Sequence, residues 1–358
     1  MDPLFEPLPL PRRGTVLANR LVLAPLTNTQ SHDDGTLSED EYRWLTLRAQ
    51  GGFAATMTCA SHVQAAGRGF KGQLGNYSEL HLTGLSRLAT GIKAAGSLAL
   101  TQLHHAGIRA PSALIGGTPL GPSDDAETGA RAMTSVEVQQ VRDDFISAAQ
   151  RAQRAGFDGV EVHGAHGYLL CQFLSPVINR REDDYGGTRD HRARLLMEVV
   201  EGIRQACGED FVVGVRLSPE RFGLELLEIR ELAARLLRGG LIDFLDLSLW
   251  DVDKEPEDTA HRGRSLLSWF TELDRGDVRL GAAGNILSGQ AARRCLQSDV
   301  DFLLIGRAAV LHHDFPNRLL ADPEFQAIAT PVTEAYLRDE GLGPDMIQYM
   351  RRWEGFVT

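Results

Sequence analysis

Eight short apolar segments, each followed by a stretch with helical periodicity, constrain this chain more than any other feature. They are Leu21–Ala24, Ala54–Thr58, Leu98–Leu103, Gly159–His163, Val212–Leu217, Phe244–Leu249, Val278–Ala282 and Phe302–Ile305. Most lack a polar face, as parallel strands covered on both sides do. Amphipathic patterns at Ser135–Ala155 and Arg189–Cys207 and a compact helix at Ser288–Gln297 fill intervals between them. Ser38-x-x-Glu41 and Thr134-x-x-Glu137 have the spacing of capping boxes. Ala155-Gly-Phe-Asp158, Gly240-Leu-Ile-Asp243 and Asp299-Val-Asp301 each close a helix and launch a strand, a repetition that suits βα units. Eight such units predict an α/β fold of the (β/α)8 TIM-barrel type. An open doubly wound sheet is disfavoured, because no G-x-G-x-x-G follows the first strand. The prediction is one domain over residues 1–358. Residues 323–358 form a C-terminal helical tail, packed on the barrel or on a partner subunit, so a homodimer or higher homo-oligomer stays open.

The chain has 358 residues, of which 43% are hydrophobic, enough for one large core. Its net charge of −11 argues against nucleic acid as a partner. The only lysines, Lys71, Lys93 and Lys254, fall at no predicted strand end, which argues against Schiff-base chemistry. Cys59, Cys171, Cys207 and Cys295 form no metal-binding or cluster-binding run. The start of the chain does not read as a signal peptide, and no apolar run reaches transmembrane length. These features predict no membrane partner and a cytoplasmic protein.

In a (β/α)8 barrel the C-terminal ends of the strands converge on one mouth. There the sequence places Pro25-Leu26-Thr27, Ala60, Gln102, His163 with His166 and Tyr168, Arg216, Gly284, and Gly306-Arg307. Two imidazoles and a phenol just past a strand can hold an oxygen anion and deliver a proton. The plainer alternative is a structural turn whose histidines satisfy backbone groups. A metal hydrolase built on His163 and His166 lacks a convincing third and fourth ligand. Gly284 after strand seven, with Gly306 and Arg307 after strand eight, forms a candidate phosphate cradle. Two long polar loops, Ala110–Ala132 and Asp251–His261, are placed to build or cover such a site.

These residues carry a resemblance. Val160-Glu-Val-His163-Gly-Ala-His166-Gly-Tyr168-Leu, then Phe173-Leu-Ser-Pro176, Asn179-Arg-Arg181 and Asp183-Asp-Tyr185-Gly-Gly187, resemble the Old Yellow Enzyme family of FMN-dependent ene-reductases. Asn19-Arg20, Ala24-Pro25-Leu26-Thr27, Gln102-Leu-His-His105-Ala-Gly107, Val215-Arg216-Leu and Ile305-Gly306-Arg307 extend the match over nearly the whole chain. The resemblance implies FMN as cofactor and NADPH or NADH as reductant. Pro25, Leu26, Thr27, Ala60 and Gln102 are implied to contact the flavin, Arg216 to sit near its N1–C2=O end, and Gly284, Gly306 and Arg307 to hold the phosphate. His163 and His166 are implied to bind the oxygen of a small α,β-unsaturated carbonyl substrate. The resemblance also implies that hydride goes from flavin N5 to Cβ and that Tyr168 gives a proton to Cα. The chain also departs from the pattern. Thr27 stands where many His-His members carry cysteine, no aromatic stands near Asn28-Thr29, and His191 stands where the family usually has asparagine. The alternatives are a non-catalytic flavin-binding protein or a related FMN barrel oxidoreductase with another substrate.

Overall fold

The computed structural model describes residues 2–10 and 14–358. The eight segments close into a barrel of parallel strands in sequential order. They are β1 (Leu21–Leu23), β2 (Ala55–His62), β3 (Leu98–His104), β4 (Gly159–Gly164), β5 (Val212–Leu217), β6 (Phe244–Ser248), β7 (Arg279–Ala283) and β8 (Phe302–Ile305). Helices α1 (Glu39–Gln50), α2 (Leu82–Ala94), α3 (Ser135–Arg154), α4 (Arg189–Cys207) and α5 (Leu226–Arg238) follow the first five strands. Shorter helices α6 (Ser268–Thr271), α7 (Gly289–Gln297), α8 (Arg307–Leu311) and α9 (Phe315–Ala321) complete the ring.

Strand parity sorts the side chains into two cores. Val160 and Val162 of β4, Val213 and Val215 of β5, and Leu245 and Leu247 of β6 pack outward in the main core shared with the helices. Val22, Ala55, Met57, Leu100, Val212, Phe244, Phe302 and Leu304 form a separate core inside the barrel. Leu8–Leu10 pairs antiparallel with Thr15–Leu17 and adds Leu8, Leu10 and Leu17 to this inner core, closing the floor. The closed floor leaves the opposite mouth as the open end.

Two strands run further than their apolar stretches suggest. β2 continues to His62 and β3 to His104. The polar residues at their ends are not loop-formers, because they satisfy one another: Thr58 Oγ1 lies 3.0 Å from Thr101 Oγ1 and 3.1 Å from Ser61 Oγ. A register shift between Met57 and Ala60 accompanies this extension. It reverses the parity of β2, so that Ala60 pairs beside Gln102 and faces the mouth.

The helix starts differ between the two capping patterns. Thr134 and Glu137 form the full reciprocal box on α3. Ser38 accepts only the N–H of Glu41 at 3.1 Å. The Glu41 carboxylate turns inward to Asn28 and Ser31 instead of closing the box. The Ala110–Ala132 loop holds a helical turn at Ser112–Ile115 and a small parallel pair, Leu120–Gly121 with Arg131–Ala132. Beyond α9, helices α10 (Glu334–Asp339) and α11 (Pro344–Met350) fold back on the barrel. Glu340 accepts the backbone N–H of His313 at 2.7 Å, Tyr336 donates to the Leu311 carbonyl at 2.7 Å, and Gly343 donates to Gln30 at 2.7 Å. Among the described residues, no helix is long and apolar enough to cross a membrane.

Candidate active site

A cleft of about 660 Å³ opens at the barrel mouth. Its walls include all twelve residues singled out in the sequence: Pro25, Leu26, Thr27, Ala60, Gln102, His163, His166, Tyr168, Arg216, Gly284, Gly306 and Arg307.

Beneath the cleft lies a polar layer inside the barrel. Gln102 donates to Glu161 at 2.7 Å, and Arg216 is ion-paired with Asp246 at 2.8 Å without the alignment of a hydrogen bond. These residues meet because Gln102 pairs in register with Glu161, and Asp246 with Arg216. Burial, reinforced by the neighbouring Asp246 charge, raises the Glu161 carboxyl to about 8. Burial also raises Asp246 to about 6, with the Arg216 guanidinium opposing the rise. At neutral pH, Glu161 therefore keeps its proton and Asp246 carries the charge that Arg216 balances.

Above this layer, β4 ends in a turn built for the two histidines. His166 has φ 62°, a left-handed conformation rare for a non-glycine residue. Ser218 Oγ accepts the His166 N–H at 3.0 Å, and Arg109 donates to its carbonyl at 2.5 Å. Gly167 follows at φ 69°, and a Cβ there meets the Phe222 ring at 2.8 Å, so the turn needs glycine.

His163 Nδ1 accepts the Ala165 N–H at 3.2 Å, which assigns the His163 proton to Nε2. That atom lies 3.2 Å from His166 Nδ1, and His166 Nε2 lies 2.7 Å from Ser248 Oγ. As they stand, His163 donates to His166 and His166 donates to Ser248. If the Ser248 hydroxyl turns to donate, the His166 proton moves to Nδ1, and both imidazoles then present N–H groups to one point. Burial holds both imidazoles well below the usual histidine range, with nearby cationic groups adding to the shift, so both are neutral at pH 7. The Tyr168 ring packs edge-on against His163 at 5.2 Å and His104 at 4.3 Å. Burial raises its phenol pKa while Arg109 opposes the rise, so Tyr168 is protonated at neutral pH.

The opposite end of the cleft suits a phosphate. A Cβ on Gly306 meets only Leu26, at 3.6 Å, so bare backbone faces the cavity there. A Cβ on Gly284 strikes the Asp251 backbone N at 2.8 Å, so the loop after β6 lies directly against β7's end. Arg307 is bonded to Asn285 rather than to a carboxylate. A cation beside exposed backbone fits an anionic group, and the cleft volume is in the range of cofactor sites.

Several lining residues were not legible as site residues. Ser248, at the end of β6, follows from parity with Asp246 and carried a weak signal. His104 does not line the cleft but packs against Tyr168, and it lies within the Gln102–Gly107 motif. Arg109, Arg221, Phe222 and Trp250 come from loops, and Tyr349, Met350, Trp353 and Phe356 come from the tail. Arg221, Phe222 and Trp250 all have positive φ, a strain that marks the rim and that sequence does not display.

A closed (β/α)8 barrel with a cleft of cofactor size at its C-terminal mouth is the architecture of a barrel enzyme. The family model described as the NADH:flavin oxidoreductase / NADH oxidase family matches residues 3–324. The chain is 36% identical over 316 residues to the probable NADH-dependent flavin oxidoreductase YqiG of Bacillus subtilis (strain 168), covering 85% of this chain and 84% of that one. It is 32% identical over 358 residues to an NADPH dehydrogenase of Bacillus licheniformis, covering 98% of each. The solved structure of the old yellow enzyme homologue from Zymomonas mobilis superimposes with TM-score 0.79 at 26% identity, covering 96% of this chain and 98% of that one. Other relatives are longer, and the chain spans 36% of one of them. The protein belongs to the NADH:flavin oxidoreductase family of the Old Yellow Enzyme type. It is an NAD(P)H-dependent FMN oxidoreductase.

Proposed function

We propose that the protein is an ene-reductase that reduces the C=C bond of α,β-unsaturated carbonyl compounds (enones, enals and maleimides) and of nitroalkenes. The observation that carries this reading is the 3.2 Å pair of His163 Nε2 and His166 Nδ1, with the Tyr168 phenol beside it. Pro25, Leu26, Thr27, Ala60 and Gln102 would hold the isoalloxazine and ribityl parts of FMN, and Gly284, Gly306 and Arg307 its phosphate. When bound, FMN supplies hydride transfer from NADH or NADPH to the Cβ of an electron-poor alkene.

The chain's own residues do the rest. His163 and His166 hold the substrate oxygen and polarise the alkene. Their N–H groups strengthen as charge collects on that oxygen, which is worth roughly 3 kcal/mol per donor if oxyanion-hole experience carries over. Arg216, with its charge balanced by Asp246, would set a fixed guanidinium near the N1–C2=O end of bound FMN. Tyr168 delivers its proton to Cα.

Tyr168→Phe tests the reading. NAD(P)H-dependent reduction of bound FMN should stay nearly intact, because that half-reaction takes no proton from Tyr168. Reduction of 2-cyclohexenone should slow ~10²-fold or more, whereas the hydride step to a nitroalkene should suffer less. Equal losses in both half-reactions of stopped-flow kinetics would remove Tyr168 as the proton donor.

A further inference from the structure

Four arginines line the cleft, and three of them have evident occupations. Arg216 is paired with Asp246 at 2.8 Å, and Arg221 with Glu257 at 3.4 Å. Arg307 lies at the phosphate end, bonded to Asn285. Arg109 differs. Its guanidinium lies 4.5 Å from the centroid of the Tyr168 ring, and its one hydrogen bond, at 2.5 Å, goes to the backbone carbonyl of His166. No carboxylate among the described residues pairs with it. Most of its five N–H donors are therefore free, beside both the group that would give the proton and the group that would hold the carbonyl.

We infer that Arg109 binds a carboxylate carried by the substrate, so that the enzyme favours unsaturated carbonyl compounds bearing a second, anionic group over their neutral analogues. The inference rests on the proposed seat of the carbonyl oxygen between His163 and His166. The planar fork of arginine matches a carboxylate in a two-bond geometry. The protein's net charge of −11 repels an anion at long range, so an anionic substrate needs a local cation of this kind. Arg109 is exposed, so its attraction is screened by salt. The competing account is mechanical: Arg109 only clamps the His166 turn, which carries the strained φ of 62°.

The test uses FMN-loaded enzyme and two probes, 4-hydroxybenzoate and its methyl ester. Each is titrated by the long-wavelength band that a phenolate gives when stacked on oxidised FMN, and affinities are corrected for the ionised fraction of each phenol. In the wild type the acid should bind ~10-fold tighter than the ester, the size of one charge-assisted contact. That ratio should shrink as salt rises from about 0.05 M to about 0.5 M. It should fall to about one in Arg109→Gln and largely persist in Arg109→Lys. A ratio near one in the wild type overturns the inference, and so does the same ratio in wild type and Arg109→Gln. Equal weakening of acid and ester in Arg109→Gln, with a lowered melting temperature, assigns the clamp role instead. No band from either probe in the wild type removes the oxyanion seat itself, and the inference with it. If Arg109→Gln does not fold, Arg109→Met takes its place in the comparison, and a ratio near one in the wild type overturns the inference without any variant.

Discussion

His163 and His166 are useful because they stay neutral. Burial disfavours their charged forms, so neither should titrate in the usual histidine range. The affinity for a simple phenol should then follow ionisation of the phenol alone. It should rise about tenfold per pH unit up to the phenol pKa near 10, with no inflection near 6.5. A break in the band titration near pH 6.5 would show that an imidazolium is involved. Ser248 should matter through His166, because its hydroxyl is the partner that lets the His166 proton move. Ser248→Ala should weaken phenol binding by about 1 kcal/mol, roughly fivefold in Kd, and Ser248→Thr should restore most of it. Unchanged phenol affinity in Ser248→Ala would leave Ser248 no positioning role. At this scale the twelve predicted residues were readable because each stands at or just past the C-terminal end of a predicted strand. Ser248 and Arg109 were not readable: a lone serine and a loop arginine look like any others until the barrel brings them to the histidines.

Among the elements, the tail has the most consequence for the site. Tyr349, Met350, Trp353 and Phe356 line the cleft of their own barrel. The tail is tied down by Glu340, which accepts both the N–H of His313 at 2.7 Å and its ring at 2.6 Å. Burial opposes ionisation of Glu340, but these His313 bonds outweigh it and hold its carboxyl below the usual range. Such a carboxylate contributes stability above its ordinary pKa near 4.5 and loses it as pH falls through the lower folded value. Glu340→Gln should therefore loosen α10 and α11 before the barrel. Hydrogen exchange should speed up in residues 334–350 while β4 and β5 stay protected. Uniform loss of protection would mean that the tail and barrel unfold as one unit. The helices α3 and α4 were legible to within a residue, because amphipathic periodicity over about twenty positions is a strong signal. The bulge in β2 was not, since Thr58 and Ser61 satisfy their hydroxyls on each other and on Thr101 of β3, a pairing that exists only once the two strands lie side by side.

For the molecule as a whole, buried histidines set the acid limit. Burial lowers His62 to about 4 and His105 to about 3, and it also depresses His104, His163 and His166. Below pH 6.5 the unfolded chain binds protons that the native state refuses, so stability falls as pH falls from 6.5 toward the folded values. His62 alone should cost ~1.5 kcal/mol between pH 6.5 and 5. Urea unfolding at fixed, saturating FMN should show this loss, and His62→Gln should flatten the slope by about that amount. A slope unchanged in His62→Gln would place the acid sensitivity elsewhere.

The alternation of apolar segments and helices already implied a (β/α)8 barrel, because parallel strands buried on both faces leave no other economical reading. The same alternation located the strand ends, and with them His163, His166, Tyr168, Arg216 and the late glycines, since barrel topology sends every strand's C-terminal end to one mouth. Relations between distant segments were a different matter. Whether Ala60 faces in or out depends on a register shift against β3. The Glu161 proton depends on Asp246, two strands away. The donor pattern of His166 depends on Ser248, and the cation over Tyr168 comes from a loop after another strand. Each depends on a contact between residues far apart in the chain, and local periodicity carries no information about which side chains long-range closure will bring into contact.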